Sequence, residues 1–352
     1  MGGRTPRRVR RVIKLLAFAF VVHVFVLPQI GGARKALSVL GSVNPFLVVL
    51  AVVLEMLAFL AYARLTQLLI PAEHRPPLRL AFGAVMASTG VNHVVPGGAA
   101  TTAAVNYRLL GHAGVPAGEI SFALGTQAIG SAVVLNVILW LALVISIPRT
   151  GFQPIYATVA AIGAVLIALF SAAVIAALKG REDFAAWVAR LLSHLPGVSE
   201  RQVLDVMVNL VNQVSTLARD RDRLRLVVGM AGANWLLDAA ALWVMLTAFG
   251  PHPRVVGLLV AYGLANVMAV IPISPGGLGV IEAVLIPTLV GFGTPRAQAA
   301  VGVVAYRLVN FWLPIPLGAL SYVAVERATS AERRRGFGRE LEEQIDKVAG
   351  ED

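Results

Sequence analysis

The sequence predicts an all-α fold: a polytopic helical membrane protein with two inverted-topology repeats, each containing a Pro-Gly-Gly re-entrant helical hairpin. Three observations carry that expectation. First, 57% of the 352 residues are apolar and only 14% are charged, against about 25% charged in an ordinary soluble domain. Such a chain cannot bury its apolar surface and still coat itself for water, which excludes a soluble enzyme, a secreted scaffold and a disordered chain. Second, apolar runs near 20 residues recur along the chain, the length a helix needs to cross a bilayer core. The ~10-residue alternating strands of a membrane barrel are missing. Third, two of the runs are broken in the middle by the same three residues, Pro96-Gly97-Gly98 and Pro275-Gly276-Gly277.

The elements follow in order. Residues 1–11 are a basic N-terminus, and Val12–Leu27 is an uncleaved first span closed by Pro28 and Gly31-Gly32. The first membrane repeat extends over 12–178. It holds spans at Phe46–Ile70, Gly118–Ile147 and Tyr156–Leu178 and a hairpin over 78–111. Residues 179–225 are polar, with Phe184, Trp187, Val188 and Leu191, then Val203, Met207, Leu210 and Val214, at helical spacing. Ser199 with Gln202 reads as a capping box opening the second of two amphipathic cytoplasmic helices. The second membrane repeat covers 226–325, with spans Leu226–Phe249 and Pro295–Val325 around a hairpin over 255–292. A charged tail, 326–352, follows.

The repeat rests on register. Pro96 and Pro275 are 179 residues apart, and the same offset carries Gly114 onto Gly293 and Pro116 onto Pro295. About 17 apolar residues precede each Pro-Gly-Gly and about 15 follow it. At ~1.5 Å per residue, each arm reaches roughly 22–26 Å, short of a ~30 Å core. Two short arms around a tight turn fit a hairpin that enters and leaves on one side; two short full spans with an external turn remain the plainer alternative. Three spans separate the two turns, so the second copy is inverted, an architecture of alternating-access transporters.

The net charge of +11 is a topology signal, not a nucleic-acid one. With both termini cytoplasmic, 23 Lys and Arg fall on the cytoplasmic side and five outside, while Arg108 and Arg307 lie within apolar segments. Cysteine is absent, which removes disulfides and thiolate chemistry. No Walker loop, Gly-x-Ser-x-Gly or His-Glu-x-x-His motif is present; the expectation is a non-enzyme with no cofactor and no metal site.

Charged groups at membrane depth cost ~2.5–3.5 kcal/mol each on insertion scales, so they point to function. The embedded acids are Glu55, Glu119, Asp238 and Glu282, with Arg108 and Arg307 as the candidate counter-charges. Glu119, just after Pro116, reads as a helix N-terminal charge. A helix that starts after a Pro-Gly-Gly turn offers unpaired N–H groups to an anion. Thr101, Thr102, Asn106 and Arg108 follow the first turn, and Glu282 follows the second. Arg can grip a phosphate bidentately, while an acid can take a cationic headgroup or a proton. The candidate substrate path is therefore Asn92, His93, Pro96, Gly97, Gly98, Thr101, Asn106, Arg108, Asp238, Ser274, Pro275, Gly276, Gly277, Glu282, Arg307 and Asn310. For each residue taken singly, including the embedded Gln127, Asn136, Asn234 and Asn266, interhelical hydrogen bonding is the competing role.

The motif Asn92-His93-x-x-Pro96-Gly97-Gly98, with Pro275-Gly276-Gly277-x-Gly279-x-x-Glu282 in the second half, resembles the transmembrane flippase region of lysylphosphatidylglycerol synthases, over about residues 10–325. The resemblance implies a multi-pass protein of the bacterial inner membrane that moves a phospholipid or lipid-linked headgroup between leaflets. The aminoacyl-transferring domain of the full-length synthases is missing from this sequence, so the chain resembles a stand-alone member. Two other readings stay open: a proton-coupled small-solute secondary transporter, and a non-transporting partner of a lipid or cell-wall synthase. A homodimer and a lipid synthase partner are compatible assemblies; nucleic acid is not an expected partner.

Overall fold

The computed structural model describes residues 44–95, 98–150, 217, 219–269 and 274–328. The expected spans Val12–Leu27 and Tyr156–Leu178, nearly all of the amphipathic segment up to residue 218, most of the charged tail, and Pro96 and Gly97 lie outside the described residues. Among the described residues every regular element is helical.

Helix α1, Pro45–Leu69, opens where Asn44 caps it: the side chain accepts from the Phe46 N–H at 3.0 Å, and Pro45 occupies the first turn. A short 3₁₀ turn, Ala72–His74, and the Pro76-Pro77 pair lead into α2, Leu78–Val94. Helix α3, Gly98–His112, returns against α2, and α4 is the long Ala117–Thr150. Asp220 caps α5, Arg221–Thr247, by accepting from the Arg223 N–H at 3.0 Å. Helix α6, Val255–Met268, is followed by a 3₁₀ turn at Pro275–Gly277 and by α7, Val280–Gly291, which packs back on α6. Helix α8, Arg296–Arg307, runs through a π turn at Leu308–Trp312 into α9, residues 314–328.

Four described spans are long and apolar enough to cross a membrane: Pro45–Leu69, Ala117–Ser146, Arg221–Thr247 and Arg296–Ala328. The four helices flanking the Pro-Gly-Gly turns are shorter, with 17, 15, 14 and 12 residues. At ~1.5 Å per residue none of them reaches ~30 Å. Burial follows the logic of a bilayer solvent. Large apolar side chains such as Phe46, Val49 and Leu320 face outward, where lipid rather than water is the neighbour. Much of the interior is small: Ala51, Ala58, Ala61, Ala84, Ala87, Ala239, Ala241 and Ala265 are buried, and such residues let helix backbones approach closely. Among the described residues the most extensive helix pair is α1 against α5.

The sequence register is carried into the helices. Shifted by the 179-residue offset, α1, α3 and α4 land within three residues of the bounds of α5, α7 and the Arg296–Ala328 span, and α2 starts within two residues of α6. Gly114 and Gly293, equivalent at that offset, both leave their helices with left-handed backbone, φ 86° and 93°. That conformation is nearly free for glycine and strained for other residues.

Candidate functional site

Glu55 lies ten residues into α1, Asp238 nine residues before the end of α5, and Arg307 eleven residues into α8. At ~1.5 Å per residue Glu55 and Asp238 are about 13–15 Å from the nearer end of their helices, and Arg307 is about 17 Å from the start of the Arg296–Ala328 span, close to half the thickness of a bilayer core. The structure gathers these three residues with Glu282 and Asn310 into one hydrogen-bonded cluster.

Arg307 is its hub. Its Nε donates to Glu282 Oε1 at 2.7 Å, Nη1 to Asn310 Oδ1 at 3.2 Å, and Nη2 to the Gly276 carbonyl at 3.1 Å. The guanidinium also lies over the Phe311 ring, 4.7 Å from its centroid. The other Glu282 oxygen accepts from the Gly279 N–H at 2.6 Å, so one carboxylate both caps α7 and pairs with Arg307. The pair is graded in exposure: the Arg307 side chain is 6% exposed and that of Glu282 22%.

Behind Arg307 lie two acids. The Asn310 Nδ2 donates to Glu55 Oε1 at 3.0 Å and to Asp238 Oδ1 at 3.2 Å. Asp238 also accepts from the Tyr262 hydroxyl at 2.7 Å and the Tyr306 hydroxyl at 2.6 Å. Glu55 is 1% exposed, and its Oε2 is buried with no hydrogen-bond partner. A π turn is an uncommon element, frequent at functional sites; here it places Asn310 and Phe311 against the cluster.

The two hairpins meet at this π turn. His93, near the end of α2, donates from Nδ1 to the Phe311 carbonyl at 2.9 Å and stacks on the Phe311 ring with centroids 4.3 Å apart. Gly276, in the second hairpin turn, has φ +54°, and a Cβ there would fall 2.5 Å from Phe311 and 2.7 Å from His93. Only glycine fits both that conformation and that gap. Pro275 and Gly277 are buried beside it, and the Ser274 hydroxyl donates to the Leu278 carbonyl at 2.6 Å.

Six expected path residues thus converge directly: His93, Asp238, Gly276, Glu282, Arg307 and Asn310. Ser274, Pro275 and Gly277 shape the same turn. The first hairpin's polar groups do not join them. Asn106 is buried in a separate site, where Nδ2 donates to Ser88 Oγ at 2.8 Å and to the Thr102 carbonyl at 3.2 Å. Its Oδ1, like that of Asn92, is buried with no hydrogen-bond partner. Thr101 is partly buried in α3, and Gly98 is the first residue of that helix. Arg108 is the clearest departure. Its exposed Nη2 pairs with Glu326 Oε1 at 2.9 Å, beside Tyr322, rather than with an embedded acid. It lies ten residues into α3, toward the end away from the turn, which puts it out of reach of the cluster. Gln127 and Asn234 make interhelical bonds, with Thr66 and the Tyr62 carbonyl and with the Ala58 carbonyl respectively. Asn136 and Asn266 donate within their own helices.

The candidate path omits three members of the cluster. Glu55 is legible as an embedded acid, but nothing in sequence ties it to Asp238. Tyr262 and Tyr306 read as ordinary aromatic residues of apolar helices, and only packing brings both hydroxyls onto one carboxylate. Among the described residues, no group of three or more His, Cys, Asp and Glu is placed to hold a metal ion.

Comparison with known proteins fits this architecture. The family described as "Lysylphosphatidylglycerol synthase TM region" matches residues 11–318. A "UPF0104 membrane protein" of Methanothermobacter thermautotrophicus is 24% identical over 349 residues, covering 90% of this chain and 94% of that protein. The "Inner membrane protein YbhN" of Escherichia coli is 30% identical over 97 residues, which is 28% of this chain and 30% of the relative. The "Uncharacterized protein slr0712" of Synechocystis is 34% identical over 119 residues, 33% and 35% of the two chains. In the last two relatives the match thus spans about a third of their length. With the family match covering most of its length, the chain belongs to the lysylphosphatidylglycerol synthase transmembrane-region family and is an integral membrane protein.

Proposed function

We propose that the chain is a lipid translocase, a flippase or scramblase without catalytic activity, that moves a phospholipid or lipid-linked headgroup between the leaflets of a bacterial inner membrane. The observation that carries the reading is the Glu282–Arg307 pair at the second hairpin turn: a cation and an acid held near mid-depth, with the acid the more exposed of the two. A headgroup crossing the bilayer needs such partners, because its own charge is as costly there as that of a side chain. Arg307 takes the phosphate, Glu282 takes a cationic substituent, and the acyl tails stay in lipid. Family membership supports this reading, since the family is named for the membrane region of an enzyme of lipid chemistry. In the same reading the Pro-Gly-Gly segments are re-entrant, the two halves are inverted, and both termini are cytoplasmic.

The test is reconstitution of the purified protein into liposomes of phosphatidylcholine and phosphatidylglycerol, with trace fluorescent phosphatidylglycerol or its aminoacylated form. Accelerated movement of the label between leaflets is the expected result. A rate equal to that of protein-free liposomes with both labels would overturn the reading. The buried acid pair favours a second reading, proton-coupled transport of a small solute; uptake of solute without lipid movement would select it.

A further inference from the structure

Outside the Glu282–Arg307 pair, the strongest unassigned feature is the acid pair behind it. Glu55 and Asp238 lie within the hydrogen-bonding shell of one nitrogen, Asn310 Nδ2. The ionisable groups facing them can be enumerated by element, among the described residues. Helix α6 supplies Tyr262, α8 supplies Tyr306 and Arg307, and α7 reaches Arg307 through Glu282. Helix α2 brings His93 against Phe311, and α4 carries no ionisable side chain from residue 120 to 148. Arg307 is the one obligate cation of this set, and Glu282 already neutralises it. Two carboxyls remain with no counter-charge. Two adjacent carboxylates at low dielectric resist ionising together, so the pair binds a proton readily and gives it up only against that repulsion.

The hydrogen bonds also show which acid holds the charge. Asp238 accepts from three donors, Tyr262, Tyr306 and Asn310, across its two oxygens. Glu55 accepts from Asn310 alone, and its Oε2 is buried without a donor. A carboxylate oxygen with no donor is costly to bury, whereas the same oxygen carrying a proton is itself a donor. We infer that Glu55 and Asp238 form a proton-binding site in which the exchangeable proton resides on Glu55 Oε2, and that its binding and release drive headgroup translocation at the neighbouring Arg307.

The coupling half of the inference rests on the lipid-translocase reading; the proton site does not. On binding, one O–H bond forms on Glu55 with a proton drawn from water, and the pair goes from two negative charges to one. On release that bond breaks and the proton returns to water on the side then open. Arg307 senses the change because Asn310 bonds both the acids and Arg307 Nη1. With both carboxylates charged, Arg307 is drawn toward α1 and α5. With the proton bound, it is left to Glu282, the Gly276 carbonyl and a headgroup.

Two measurements on the full-length protein test this. Infrared difference spectroscopy across a pH step, in liposomes without labelled lipid, should show a protonated carboxyl C=O band that shifts in D₂O. The band should be lost in Glu55→Gln and in Asp238→Asn. Tyr306→Phe, which keeps both acids but removes a donor to the charged one, should retain the band and move its midpoint to higher pH. Lipid movement in the same liposomes should respond to an imposed pH gradient and lose that response in Glu55→Gln. No such band in the wild-type protein, a band unchanged in Glu55→Gln and Asp238→Asn, or a response to sodium in place of protons would overturn the proton site. The band without a gradient response, while lipid still moves, would overturn the coupling. The band with no lipid movement at all would uphold the proton site and overturn the translocase reading instead.

Discussion

Arg307 and Arg108 look alike in the sequence, one cation within an apolar segment of each half, yet their surroundings give them different weights. Arg307 uses Nε, Nη1 and Nη2 on three different partners and is nearly enclosed. Arg307→Ala would leave Glu282 and the Gly276 carbonyl short of a partner. Breaking a buried pair from one side costs about 3–5 kcal/mol, so the variant should melt well below the wild type in detergent. Arg307→Lys keeps the charge but cannot reproduce a three-way planar fork. It should fold and move lipid at least about tenfold more slowly, which corresponds to about 1.4 kcal/mol; wild-type transport in Arg307→Lys would remove the headgroup role given to the guanidinium. Arg108 pairs with Glu326 in an exposed setting, where such a pair contributes about 0–1 kcal/mol. Arg108→Ala should therefore leave the melting temperature within a few degrees of wild type, and a large drop would mean that its environment differs from the one described. Sequence flags both arginines as costly in lipid, but it does not say which of them another helix will cover. The same limit hid the place of Glu55 in the cluster: its partner Asn310 lies 255 residues away, and no local pattern encodes that meeting.

At the scale of elements, sequence was far more informative. Apolar length and Pro or Gly boundaries place the span Phe46–Ile70 within one residue of α1, and Gly118–Ile147 falls inside α4. The broken stretches resolve into α2 with α3, on either side of residues 96–97, and α6 with α7, with the turn Pro275–Gly277 between them. The signals are strong because a bilayer forces every backbone polar group to bond within its own helix. The π turn at Leu308–Trp312 had no such signal; it depends on how Asn310 and Phe311 dock. Helix contact was also illegible, although the glycines that permit it are visible. A Cβ on Gly318 would fall 2.5 Å from the Met86 carbonyl oxygen and 2.9 Å from the Gly90 Cα, so α2 and α9 cross backbone to backbone. Gly318→Val should separate them and destabilise the bundle by about 1–3 kcal/mol, the usual cost of overpacking. Leu320 on the same helix is 68% exposed, and Leu320→Val should change little. Equal thermal stability of Gly318→Val and Leu320→Val in detergent would contradict the crossing.

For the whole molecule, the decisive matter is whether the two halves are inverted. Helix bounds recur at an offset of 179 residues, and the loops at Gly114 and Gly293 share a left-handed glycine. If the halves are antiparallel, those two equivalent loops lie on opposite faces of the membrane, with the first cytoplasmic by its Lys and Arg balance. The depth of the charged cluster bears on the same question. Glu55 is nearer the start of α1, Asp238 nearer the end of α5 and Arg307 nearer the start of the Arg296–Ala328 span; inversion requires those three ends to share one side. The chain has no cysteine, so single cysteines can be introduced without a background. Ala113→Cys should react with a membrane-impermeant maleimide only from the cytoplasmic side, and Arg296→Cys, at an exposed position just after the equivalent loop, only from the other. Labelling of both from the same side would rule out inversion. Val95→Cys, placed where α2 ends before the first turn, then separates a re-entrant hairpin from two short spans. A tip near mid-depth should resist the reagent from the external side, whereas a turn exposed beyond the bilayer should react from that side as fast as Arg296→Cys.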